Sequence, residues 1–153
     1  MENKPGVLSR IAGMFTRRGY NIDSLAVSPT EDDHRSRMTI TVDASRFPVE
    51  QITKQLDKLI NVIKVRDLDP GNMVARELGL FKVTTREASR ADVLALVDIF
   101  RGEIVDVTSE SMIVLATGTT AELENLEELL RHSGLVEMVR TGVVALARGG
   151  STT

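Results

Sequence analysis

The chemistry this sequence offers lies first in one backbone turn. Asn3-Lys4-Pro5-Gly6-Val7-Leu8-Ser9-Arg10 runs on to Gly19-Tyr20-Asn21-Ile22-Asp23-Ser24-Leu25. Pro5 and Gly6 cannot both sit inside a helix, so they mark a turn before one. From there Val7, Leu8, Ile11, Ala12, Met14 and Phe15 form a stripe at helical spacing, and Gly19, after Arg17 and Arg18, stops it. A glycine turn feeding a helix leaves the N–H groups of Gly6, Val7 and Leu8 free to face an anion such as a carboxylate. Asn3 and Asn21 bracket the unit with amides that donate and accept. This describes a site for a small carboxylate-bearing molecule. Taken on spacing alone, an ordinary turn and helix start is the commoner meaning.

The other candidates are weaker. His34 and His132 stand far apart in a chain with no cysteine, which removes disulfides, thiolate metal sites and cysteine nucleophiles. Glu122, Glu124, Glu127 and Glu128 mostly avoid the leucine stripe of their segment and read as a solvated helix face. Asp32 and Asp33 lack the basic partner that acid–base catalysis needs, and Arg17-Arg18 and Arg35-Ser36-Arg37 read as a helix end and a strand entry. There is no phosphate loop, nucleophile elbow or histidine–carboxylate motif. Net charge is −3 and aromatics are 3% of the chain, which argues against nucleic acid as the main partner. No apolar run is long enough to span a membrane and no signal-peptide pattern occurs, so a cytoplasmic location is expected.

The elements that must position the turn follow in order. Tyr20 to Ser28 reads as a strand ending at Pro29, Thr30 to Ser36 as a polar loop, and Met38 to Ala44 as an alternating, half-buried strand, together a hairpin. Pro48 opens a helix with Val49, Ile52, Leu56, Leu59 and Ile60 on its stripe, and Asn61 to Leu68 reads as a strand. Asp69-Pro70-Gly71-Asn72 is the strongest break. Leu78 to Thr85 is then a strand; Ser89 with Asp92 resembles a capping box before Val93, Leu94, Leu96, Val97 and Phe100. Glu103–Thr108 and Met112–Thr117 form a hairpin, Thr119 with Glu122 caps a helix ending at Gly134, and 135–146 supplies one strand or two short ones. The expected class is α+β, two tandem ferredoxin-like βαββαβ domains. The first lacks most of its opening strand, which is central in this topology; either the start is assigned late or a partner strand fills the gap. The expected limits are 1–69 for the first domain, 70–75 for a linker, 76–148 for the second domain and 149–153 for a disordered tail.

Glu2 to Arg10, Arg17 to Leu25, Ser36-Arg37-Met38-Thr39-Ile40, Gln51 to Leu56, Lys58 to Val62, Arg76-Glu77-Leu78, Phe100 to Val107 and Arg140-Thr141-Gly142-Val143 resemble the regulatory small subunit of acetolactate (acetohydroxyacid) synthase. The match is in register over nearly the whole chain. It departs at the opening strand, which in the family precedes the Glu-Asn turn. The resemblance implies an N-terminal ACT domain, a C-terminal ACT-like domain and a protein that is not itself a catalyst. It implies a homodimer that joins a catalytic large subunit, raises its activity and transmits feedback inhibition by valine. It also implies that the thiamine diphosphate, Mg and FAD belong to that partner and that this chain carries no cofactor. Valine would sit between two copies, against Asn3, Gly6, Val7 and Leu8 of one and Asn21 and Ile22 of the other. The alternatives are a free-standing ACT-type amino-acid sensor for another enzyme, or a small ferredoxin-like enzyme such as an acylphosphatase. The latter needs an arginine–asparagine pair in a phosphate cradle, and none is evident.

Overall fold

The computed structural model describes residues 1–85 and 87–153. The described residues divide into two compact units, 1–74 with 143–153, and 75–142. In the first unit α1 (Val7–Arg18) turns Val7, Ile11, Met14 and Phe15 inward, the positions its stripe dictates. Gly19 ends α1 at a φ of 68°, and its N–H and that of Tyr20 close onto the last carbonyls. The chain then enters β1 (Ile22–Pro29), which pairs antiparallel with β2 (Ser36–Val42). The α2 helix (Val49–Leu56) packs Ile52 and Leu56 onto the same core, beside Tyr20, whose ring meets Phe15 and Phe47 edge to face. Each such fully buried side chain contributes on the order of 1.5–3 kcal/mol.

The second unit is a complete βαββαβ. Its elements are β3 (Met73–Thr84, which begins in the first unit), α3 (Glu87–Ile99), β4 (Glu103–Val107), β5 (Ser111–Gly118), α4 (Thr120–His132) and β6 (Leu135–Arg140). The strand order is β4-β5-β3-β6, with β3 in the centre. Phe81 and Val83 of β3, Val114 of β5 and Leu126 and Leu130 of α4 are fully buried together. Thr119 accepts from Glu122 N–H while Glu122 returns a carboxylate to Thr119 N–H, the capping box expected from the sequence. Glu77 is buried on β3 and held by Arg140 of β6 at 2.6 Å, with Glu127 of α4 3.8 Å from the same guanidinium.

Several expectations are corrected. Residues 61–68 are not a strand: Asn61 closes a turn and the residues after it make no ladder. Met1–Asn3 lies beside this run and the start of β2. There Met1 and Ser36 exchange backbone bonds at 2.9 Å, while Glu2 N–H donates to Asn61 on the other side. The α2 helix ends at Leu56, which leaves Ile60 92% exposed instead of on the core stripe. Ser89 lies inside α3 and does not open it; the residue before that helix lies outside the described residues. β3 begins at Met73, not Leu78. The segment 135–146 splits into β6 and β7 (Val144–Ala147), and β7 pairs with β3. Residues 143–153 pack with the first unit, where Arg148 N–H donates to the Asn72 carbonyl. The last residues are held too: Arg66 donates to Ser151 Oγ at 3.1 Å and Lys64 to the Thr152 carbonyl at 3.2 Å.

Candidate functional site

Gly6 is the N-cap of α1 and adopts a left-handed φ of 85°, which disfavours any residue with a side chain. A β-carbon there would meet nothing within 4 Å, so the turn opens to free space. No side chain caps the helix, and its first turn carries no acidic residue. The Val7 N–H reaches back to the Lys4 carbonyl at a long 3.4 Å. Those of Gly6 and Leu8 have no hydrogen-bond partner among the described residues. Free N–H groups at the positive end of a helix attract a carboxylate, and the nearby cations Lys4 and Arg10 add to the field. Glu2 carries the opposing charge beside the turn. It is engaged by Asn61 and Lys4, which hold its carboxyl below the usual range.

The residues expected at the site divide by role. Asn3 spends both ends of its amide inside the chain: Nδ2 donates to the Asp33 carbonyl at 3.0 Å and Oδ1 accepts from Ser36 Oγ at 2.8 Å. These bonds tie the turn to the loop between β1 and β2, and the amide keeps a second N–H and a second acceptor lone pair. The Val7 side chain faces the core, so only its N–H is offered outward, whereas Leu8 is 44% exposed beside the turn. Asn21 is exposed at the entry to β1, with Nδ2 on Asp23 Oδ1 at 2.9 Å. Ile22 is half-buried and packs against the first-unit core. Asn21 also lines a depression of about 520 Å³ with Thr16, Gly19, Tyr20, Asp43, Arg46 and Phe47. The sequence did not single out Arg46 or Phe47, since an arginine and a phenylalanine before a helix carry no motif. Within one chain Gly6 and Asn21 stand at opposite ends of α1, whose 12 residues span roughly 18 Å. An amino acid is far shorter than that distance, so one such ligand does not touch both ends of α1 within one chain.

Residues 1–64 match the family model described as AHAS small subunit-like ACT domain, and residues 76–149 match the one described as Small subunit of acetolactate synthase. The acetolactate synthase small subunit of Mycobacterium bovis is 51% identical over 149 residues, covering 97% of this chain and 89% of the relative. The probable acetolactate synthase small subunit of Methanothermobacter thermautotrophicus is 47% identical, covering 99% and 91%. The crystal structure of the small subunit from Thermotoga maritima superposes with a TM-score of 0.90 at 41% identity, covering 98% of this chain and 94% of that one. By sequence along nearly its whole length and by fold, this chain belongs to the acetolactate synthase small subunit family.

Proposed function

We propose that this chain is the regulatory subunit of an acetolactate synthase in branched-chain amino-acid biosynthesis. It raises the activity of a catalytic large subunit that carries the thiamine diphosphate, Mg and FAD, and it transmits feedback inhibition by valine. The chain itself is not the catalyst, and a cytoplasmic location goes with this role.

The observation that carries the reading is the uncapped helix start at Gly6, with free N–H groups in open space. A zwitterionic amino acid places its carboxylate on those groups, its ammonium on an amide oxygen and its side chain against apolar neighbours such as Leu8 and Ile22. The roughly 18 Å between the two halves calls for a homodimer in which the turn of one copy faces Asn21 of the other. A two-fold arrangement of this kind makes two equivalent sites. The test is synthase activity of the complex reconstituted with its large subunit, across a valine titration, with Gly6→Asp as the decisive variant. Activation without any valine response in the wild-type complex overturns the effector reading and leaves the partnership standing.

A further inference from the structure

A depression at the C-terminal end of α1 holds groups that the valine reading leaves unused. It measures about 520 Å³ and lies within the first unit, between the end of α1, the entry to β1 and the turn that joins β2 to α2. Gly19 borders it at a φ of 68°, and a β-carbon there would meet nothing within 4 Å. Tyr20 and Phe47 supply its apolar wall, with ring centroids 4.8 Å apart at 64°. Tyr20 is buried and its hydroxyl makes no hydrogen bond among the described residues, whereas Phe47 is half-buried and keeps part of its ring open. Within one chain this place stands at the far end of α1 from Gly6, roughly 18 Å away.

Two opposite charges border the same space. Asp43 and Arg46 both belong to the turn after β2, and both are exposed. The Ser45 hydroxyl and N–H hold the Asp43 carboxyl below the usual range, so it is ionised at neutral pH. Arg46 adds to the field on Asp43 but makes no hydrogen bond and no ion pair among the described residues. Its N–H donors are therefore not engaged by the chain, and their fork matches a carboxylate. An anion and a cation that share a rim without pairing suit a ligand that carries both charges close together. A free α-amino acid does so, with ammonium and carboxylate on one carbon. The wall beside these charges is aromatic, and a third ring extends an edge-to-face pair in the geometry that aromatic groups prefer, with a gain beyond its buried area.

We propose that this depression is a binding site for a free α-amino acid with an aromatic side chain, separate from the valine site at the Gly6 turn. The Arg46 guanidinium takes the carboxylate, the Asp43 carboxylate takes the ammonium, and the ring lies against Phe47 and Tyr20. Apolar walls with a few convergent polar groups are the usual make-up of a small-molecule site. All of these groups come from one chain, so the proposal does not rest on the homodimer or on the valine reading.

The probe is L-phenylalanine, added to the full chain and followed by calorimetry and by backbone amide NMR. It is expected to bind with a Kd of about 1 mM or below and to shift the amides of Gly19, Asn21 and Phe47. Two analogues that each lack one charge, 3-phenylpropionate and 2-phenylethylamine, should bind at least about tenfold more weakly, and so should L-alanine, which lacks the ring. Two variants assign the contacts. Arg46→Met should weaken L-phenylalanine by about tenfold or more and leave 2-phenylethylamine unchanged. Asp43→Asn should weaken L-phenylalanine as much and leave 3-phenylpropionate unchanged. Both positions are exposed and outside the core, so the fold should be kept. Gly6→Asp, at the other end of α1, should leave the affinity for L-phenylalanine as it is. Three results overturn the proposal: no binding at about 10 mM, well above the expected Kd; binding that neither charge variant weakens; or binding lost in Gly6→Asp, which means that the depression is part of the valine site.

Discussion

Gly6→Asp places a carboxylate at the mouth of the proposed valine site, and its effect can be worked from the geometry of the turn. The aspartate is expected about 4 Å from the carboxylate of the ligand. Two like charges at that distance repel by about 1 kcal/mol in water and about 4 kcal/mol at the effective dielectric of a protein surface. At about 1.4 kcal/mol per decade, valine affinity should fall between about fivefold and several hundredfold. Nothing crowds the added β-carbon, so the fold should accept it at the cost of a positive φ, which aspartate and asparagine tolerate better than most residues. Gly6→Asn is therefore the matched control, nearly the same in shape and backbone demand but without the charge. The assay is synthase activity of the reconstituted complex across a valine titration at low and at high salt. The aspartate variant should need far more valine for half-inhibition than the asparagine variant, and salt should narrow the gap. Activation at zero valine should stay near wild type in both. Equal losses in the two variants refute the charge argument, and inhibition of Gly6→Asp at the wild-type valine concentration removes the site itself.

Three further outcomes rest on the fold. Arg140→Met leaves Glu77 buried without its partner and should destabilise the second unit by about 3–5 kcal/mol, whereas replacing both by apolar residues should recover most of the loss; urea unfolding measures both, and a loss below about 1 kcal/mol in the single variant contradicts the assignment. The Tyr20 hydroxyl is buried with no hydrogen-bond partner among the described residues, so Tyr20→Phe should leave stability unchanged or raise it by about 1 kcal/mol; a clear drop in the thermal midpoint would reveal a partner. Glu122 is held below the usual carboxylate range by the Thr119 N–H and hydroxyl. A depressed folded-state value adds stability that is present above about pH 4.5 and lost as pH falls through the folded-state value. The melting difference between wild type and Glu122→Gln should therefore be present at pH 7 and shrink as the pH is lowered below about 4.5, and a difference that stays constant into acid would show that the carboxylate charge is not its source.

What the sequence determined by itself is what local chemistry decides. The stripe from Val7 to Phe15, the stops at Gly6 and Gly19, the capping box at Thr119 and Glu122 and the alternation of Met38 to Val42 each follow from side-chain spacing and backbone sterics. Each is written within a few consecutive turns of chain. The turn at Gly6 could be named as an anion site for the same reason, since a helix start exposes its N–H groups whatever it packs against. Tertiary structure decided whatever depends on a neighbour. Residues 61–68 have strand-like composition but make no ladder, because pairing is a property of two segments and not of one. The amide of Asn3 bonds Asp33 and Ser36, more than 29 residues away. The tail, polar and short, has no local reason to be ordered, and it is placed by Arg37, Lys64 and Arg66 from distant parts of the chain. Long-range hydrogen bonds of this kind leave no periodicity in the sequence, because neither partner constrains the residues beside it.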